Sequence, residues 1–293
     1  MTPADVGVAG LKDRDAVTRQ HLSVHLPHAD TAAEAAGVER LSAAEGFHVH
    51  WADRHTNKIK RGHLAGNRFV IRIRDVEPMT AALRLRPMLD RMARDGMPNR
   101  FGTQRFGTKS RNAQHGAALL RGEPLDHRPS RTQRGLYVSA WQSAVFNDVV
   151  DARERDGTLT RLLPGDLAYK HDSGGCFAID AETAALENAP DGRATTGAVS
   201  PSGPMWGRKM SRAGGTVDAA EVAALDRHGV DLDALLAARG PDVPKGARRP
   251  LRVIPRDLDF SCGADEHGAY ARLTFELPPG SYATELCRQV MDG

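Results

Sequence analysis

The sequence predicts an α+β protein built on an antiparallel sheet, and three observations carry that reading. Alternating apolar and polar residues recur at 21–26, 46–53 and 67–75, the period of a half-buried strand. Residues 79–95, and a run from about Ser139 to Gly157, instead repeat apolar side chains at helical spacing. The chain then closes on one more alternating run, "YARLTFELP". Strands, a mixed middle and strands again suggest one sheet domain with a second domain inserted into it.

In "HLSVHL", Leu22, Val24 and Leu26 alternate with Ser23 and His25. In "GFHVHWAD", Phe47, Val49 and Trp51 share a face, and in "NRFVIRIRD" Phe69, Ile71 and Ile73 point in while Arg68, Arg72 and Arg74 point mostly out. These three strands are expected to form a sheet with one polar, basic face. The helix over 79–95 places Met88, Leu89 and Met92 on one side. Pro87 either kinks it or starts a shorter helix, and Gly96 stops it. The Gly- and Arg-rich "MPNRFGTQRFGTKSRN" reads as a loop. Ser139 is the expected N-cap of a second helix carrying Trp141, Val145 and Val149 on one face. Residues 158–250 are richer in Ala, Gly, Pro and Asp and read as a separate module. After the last strand, with Ala271, Leu273, Phe275 and Leu277 on one face, "PPGS" turns the chain into a short helix, "YATELCRQVM".

With 293 residues the chain is long enough for roughly two domains of about 150 residues. Its 40% hydrophobic and 26% charged residues are those of a soluble globular protein. No apolar run approaches the roughly 18 residues of a membrane helix, and no signal peptide is readable at "MTPADVGVAG". Three widely spaced cysteines, Cys176, Cys262 and Cys287, argue for a reducing, cytoplasmic setting over a disulfide framework.

Net charge is only +3, but the charges are segregated along the chain. Between Arg54 and Arg74 stand Arg54, Lys58, Lys60, Arg61, Arg68, Arg72 and Arg74 with no acid among them. Between Gly96 and Gly122 stand Arg100, Arg105, Lys109, Arg111 and Arg121, again with none. Arg128, Arg131 and Arg134 make a third such stretch, from His127 to Asn147. One such stretch is as readily a solvated surface; three together point to a face offered to a polyanion.

Catalytic motifs are sparse. The histidines His21, His25, His28, His48, His50 and His55 lie near strands, but without a Cys pair or a carboxylate at ligand spacing they do not make a metal site. No phosphate-binding glycine loop, nucleophile elbow or C-x-x-C pair is present, so a cofactor-free reaction is the default. Asp13, in "GLKDRDAVTRQ", sits between Lys12 and Arg14. On spacing alone it is a solvated turn residue or a carboxylate kept ionised for attack.

The blocks "VAGLKDRDAVTRQ", "HTNKIKRGHLAGNRFVIRIRDV", "GMPNRFGTQRFG", "SAWQSAVFNDVV", "LPGDLA" and "LPPGSYATELCRQV" follow one another in that order. Together they resemble the TruD family of tRNA pseudouridine synthases from about residue 7 to the end, most thinly over 180–250. The resemblance implies a catalytic domain with a mixed, largely antiparallel sheet, in two parts at 1–95 and 254–293, interrupted by a family-specific α/β insertion at 96–253. It implies isomerisation of a uridine in the tRNA D-arm, at tRNA position 13, without cofactor or metal, and names tRNA as the only partner. Asp13 stands at the catalytic aspartate, Asn67 and Phe69 at residues lining the uridine pocket, and Tyr282 at the aromatic residue that stacks on the base. Lys12, Lys58, Arg61 and Arg105 are the expected RNA contacts. The family also carries a segment ahead of this point, with an opening strand and an Asp-Phe motif, where only 12 residues precede Asp13 here. An RNA-binding protein of the same fold without turnover is therefore the alternative reading.

Overall fold

Strands β1 (Val6–Val8) and β2 (Leu22–Val24) pair antiparallel, with Val6 opposite Val24 and Val8 opposite Leu22. The computed structural model describes residues 2–26, 30–107 and 109–292. The chain divides after Asn67 into two compact units. In the first unit, helix α1 (Thr31–Ser42) starts at Asp30, whose carboxylate accepts from the Ala33 amide at 2.8 Å. None of its residues is buried.

The strand expected over 46–53 does not form. Phe47 and Trp51 are 60% and 61% exposed, since the two-stranded β1–β2 ribbon offers them no sheet to pack on. The Trp51 ring instead meets His21 edge-on at 5.2 Å.

Strand β3 (Asn67–Arg74) leads through a tight turn to helix α2 (Pro78–Asp95). Glu77 caps α2 from outside, accepting from the amides of Met79 and Thr80, and Pro78 fills the first turn, where no amide is needed. Leu85, Leu89 and Met92 form its buried stripe. Pro87 lies inside this one helix on its exposed side, so it starts no shorter helix. Gly96, at φ 77°, ends α2 as expected.

The predicted loop after Gly96 holds more structure than its composition suggests. Strand β4 (Met97–Pro98) and a 3₁₀ turn (Thr103–Phe106) precede helix α3 (Asn112–Arg121). A Cβ on Gly116 would lie 2.2 Å from the Tyr137 carbonyl oxygen, so only glycine permits this approach to the next helix. That helix, α4 (Arg131–Arg155), begins eight residues before the expected Ser139. Its N-cap is Ser130, in a capping box with Gln133. Trp141, Val145 and Val149 are buried as read from the sequence.

Then follow β5 (Leu167–Lys170), β6 (Cys176–Ala178), α5 (Ala181–Glu187), β7 (Val199–Met205), α6 (Gly215–Arg227), α7 (Leu232–Ala237), β8 (Ala247–Pro250) and β9 (Arg252–Val253). A four-stranded antiparallel sheet has the order β6-β5-β7-β8. β4 pairs with β9, Met97 opposite Val253, so the chain leaves and re-enters this region on neighbouring strands. Strands β10 (Arg256–Asp265) and β11 (Gly268–Leu277) form a hairpin, and β3 joins it in the order β10-β11-β3. β2 and β3 therefore belong to different sheets. Helix α8 (Ala283–Asp292) follows the last strand.

Two cores result. Trp141, Phe146, Trp206, Leu225 and Leu251 build one around α4. Leu89, Met97, Val253, Leu273, Phe275 and Leu286 build the other, between α2, β11 and α8. The inward face read for β11 is correct at every position: Ala271, Leu273, Phe275 and Leu277 are all buried. Among the described residues no helix is long and apolar enough to cross a membrane.

Candidate nucleic-acid interface and active site

In the first unit the candidate residues are held by close packing on the β1–β2 ribbon. A Cβ on Gly7 would lie 2.3 Å from the Ile59 carbonyl oxygen and 2.4 Å from Ser23 Oγ. Glycine at this position lets the basic loop lie directly against β1. Ser23 Oγ accepts from the Ile59 amide at 2.9 Å, and the Ala9 carbonyl accepts from the Gly62 amide at 2.8 Å. These bonds fix Lys58, Lys60 and Arg61 at the exposed rim of the loop. Lys58 donates to the Ala4 carbonyl, whereas Lys60 and Arg61 make no ion pair among the described residues.

Asp13 follows β1 in irregular, exposed backbone and makes no ion pair among the described residues. Lys12 does not pair with it. The Lys12 ammonium donates instead to Asn67 Oδ1 at 2.5 Å. Two predicted site residues are thereby joined, and the carboxylate beside them stays open to solvent.

In the second unit Phe69 and Tyr282 have different surroundings. Phe69 stacks on Phe275, ring centroids 5.3 Å apart at 25°, against the core under β11. Tyr282, just before α8, meets Phe101 edge-on at 5.8 Å. Gly102 lies beneath it, where an added Cβ would come within 3.8 Å of the tyrosine ring. Arg105, from the 3₁₀ turn, reaches back to α4, donating to Ser139 Oγ and to Ser143 Oγ, with its guanidinium 5.5 Å from the Phe101 ring centre. Ser139, expected as a helix cap, thus serves as a side-chain acceptor. Tyr282 and Arg105 meet around Phe101, a residue that sequence reading did not single out. Arg249 completes the group, 4.2 Å from the same ring centre. Its only signal in the sequence is its place in "ARRPLRV", beside apolar strand residues.

The basic stretches are less bare in space than along the chain. Arg100 pairs with Asp151, Glu154 and Glu285. Arg72 and Arg74 both pair with Asp265, whose carboxyl the Arg74 guanidinium holds down at about 2. Arg121 pairs with Glu123, and Arg134 with Asp242. The acids that look remote in sequence therefore neutralise much of the expected basic face. Among the described residues, Lys60, Arg61, Arg105 and Arg249 have no carboxylate partner. As for a metal, no group of three His, Cys, Asp or Glu side chains fit to hold one occurs among the described residues, and His28 lies outside them.

The family model for tRNA pseudouridine synthase D (TruD) matches residues 1–128 and 127–290. The chain belongs to the TruD family. Curated tRNA pseudouridine synthases D of Geobacter sulfurreducens and an Anaeromyxobacter strain are 36% and 38% identical to it, each across 98% of the chain and 80% and 77% of their own length. That of Thermus thermophilus is 36% identical over 98% of the chain and 73% of its own. A Methanosarcina mazei crystal structure assigned as TruD superposes over the whole chain and 82% of its own, with TM-score 0.77 at 23% identity. At that identity the likeness speaks for the fold alone, here the α+β architecture of TruD.

Salt dependence tests the exposed rim. Each neutralised phosphate contributes about −0.7 to −0.9 to the slope of log affinity against log salt. Replacing Lys58, Lys60 and Arg61 together by Gln is expected to flatten the slope for tRNA by about 2 to 3. A slope equal to wild type would place these side chains away from RNA.

Proposed function

We propose that this chain isomerises a uridine of tRNA to pseudouridine, at position 13 in the D-arm, with Asp13 as the catalytic carboxylate and no cofactor. The observation that carries the reading is Asp13 itself: an exposed carboxylate with no ion pair among the described residues, beside a lysine already committed to Asn67. Membership of the TruD family supports the reaction class. Segment 96–253 is read as the family insertion, bounded by the paired strands β4 and β9.

The chemistry asks little of a cofactor. Substrate and product are isomers: the bond from the sugar's C1′ to N1 of the base breaks, and a bond from C1′ to C5 forms. N1 gains a proton and C5 releases one, so no oxidant, reductant or group donor is consumed. What the protein must supply is a nucleophile, a grip on the detached base and charge to hold the RNA. The Asp13 carboxylate can attack either C1′ of the sugar or the base ring, and both attacks need it ionised. The target base must first leave its stack, at a cost of a few kcal/mol. A ring such as Tyr282 returns roughly 1–3 kcal/mol of that by stacking.

Conversion of a D-arm uridine in an unmodified tRNA transcript, with no metal or nucleotide added, tests the proposal directly. Tyr282 gives a graded version. Tyr282→Phe keeps the ring and is expected to stay within about threefold of wild type, while Tyr282→Ala loses about 10- to 100-fold in kcat/KM. Equal activity of Phe and Ala variants would assign the ring to packing on Phe101.

A further inference from the structure

Arg249 is a half-buried arginine whose charge no carboxylate among the described residues neutralises. Side chains alternate across a strand, and β8 sets consecutive arginines on opposite faces. Arg248 turns toward α6, where Glu221 accepts from both its terminal nitrogens at 2.7 and 2.8 Å. Arg249 turns the other way and lies 4.2 Å from the Phe101 ring centre and 5.4 Å from that of Phe146. Its three hydrogen bonds all leave from Nη2, to the Asn99 side chain at 2.6 Å and to the carbonyls of Asn99 and Gly280. Nε is buried without a partner.

Other buried or half-buried arginines show how unusual this is. Arg153 faces Asp166, and Arg100 faces three carboxylates. Arg252 has no acid either, but its guanidinium is met on all three nitrogens, by the carbonyls of Asp95, Ala194 and Val199 and by Ser200 Oγ. Arg249 alone of these keeps both a free charge and unused donors. Burial pulls its pKa down to about 10, which still leaves it fully charged at neutral pH. Next to it stands a second cation, Arg105, over the same Phe101 ring, its side chain bonded among the described residues to the hydroxyls of Ser139 and Ser143. Holding two unpaired guanidiniums together costs free energy unless an anion joins them.

We propose that Arg249 and Arg105 form a clamp for one phosphodiester of the RNA backbone, seated against the Phe101–Tyr282 corner. A guanidinium suits a phosphate's oxygens, and the residues that brace Nη2 of Arg249 (Asn99 and Gly280) hold its Nη1, which has no hydrogen-bond partner among the described residues, in place before binding. The clamp is a positioning device: it fixes the strand beside the ring offered to the base and touches no reacting atom. This deepens the tRNA reading above and rests on it.

The test replaces single phosphates near the target uridine by neutral methylphosphonates, in a D-arm RNA, and measures binding and kcat/KM. In wild type one substituted phosphate is expected to cost about tenfold in affinity. In Arg249→Gln the same substitution costs less than about twofold, because the partner charge is already gone, and the salt slope falls by about one. Arg249→Lys keeps the charge but not the braced planar guanidinium, so it sits between. A methylphosphonate penalty that is the same in wild type and Arg249→Gln at every position overturns the clamp. Should Arg249→Gln fail to fold, Arg105→Gln carries the same comparison, since among the described residues its side chain meets hydroxyls and the Phe101 ring and no carboxylate. Wild-type protein that binds the RNA but makes no pseudouridine sinks the reaction and leaves the clamp to be judged by the binding arm. Protein that does not bind the RNA at all sinks both.

Discussion

Asp13→Asn is expected to abolish pseudouridine formation while tRNA affinity stays the same or rises slightly. Asparagine is nearly isosteric with aspartate but is not a carboxylate nucleophile, so the loss falls on turnover, by on the order of 10³-fold or more. Affinity moves in the opposite sense because the change removes one negative charge from a segment that also holds Lys12, Arg14 and Arg19. The structure gives the substitution little else to disturb. Asp13 is exposed and outside regular structure, so thermal stability should not change. Lys12 keeps its bond to Asn67 in the variant, since that bond does not depend on Asp13. The measurement pairs pseudouridine formed on a tRNA transcript with a binding titration at one salt concentration. Equal product from wild type and Asp13→Asn would end the nucleophile assignment. Product from neither, with binding intact, would favour the RNA-binding alternative.

What was legible in the sequence followed the strength of one-sided burial. β11 and α2 each hide one face and show the other, so a period of two or of 3.6 reads through unambiguously. Residues 46–53 carry an equally clean alternation, yet a strand also needs a neighbouring strand, and sequence alternation does not reveal whether one is present. The start of α4 falls earlier than expected because Ser130 and Ser139 are the same kind of cap, each with a Gln three residues on (Gln133 and Gln142), so the capping-box pattern alone does not separate them. Helix α3 hid among Gly and Arg residues, although Gly122 at φ 75° ends it as a helix stop should.

The site divides along the same line. Asp13, Asn67 and Tyr282 are proposed from local blocks of sequence. The pairing of Lys12 with Asn67 spans 55 residues, and that of Arg72 and Arg74 with Asp265 more than 190. Charge runs along a chain are therefore a poor guide to charge on a surface: an acid from the far end cancels a run that looks unopposed. Arg249 is the converse case, an ordinary residue in a short strand that becomes distinctive only when the fold leaves it without a counter-charge.

Asp166→Ala is expected to destabilise the protein by about 3–5 kcal/mol, more than any single surface change. Arg153, near the end of α4, and Asp166, just before β5, form a bidentate pair with both bonds at 3.0 Å and with both residues buried. Asp166 also accepts from the Leu163 amide at 2.7 Å, and Arg153 donates to the carbonyls of Thr158 and Arg161. Alanine would strip one carboxylate from this group and leave a guanidinium sealed from water with only carbonyls to meet it. The cost is the stranded charge more than the lost bond, and that can be separated by experiment. Arg153→Met combined with Asp166→Ala removes both charges and should recover at least half of the stability lost by Asp166→Ala alone, read by urea or thermal unfolding. A double variant no more stable than Asp166→Ala would show that the Leu163 amide bond, not the charge, carries the effect. The site gives a second readout. α4 also presents Ser139 and Ser143 to Arg105, so a loosened α4 should weaken RNA binding only where the helix itself has begun to unfold. Binding by Asp166→Ala measured well below its melting temperature is therefore expected to match wild type.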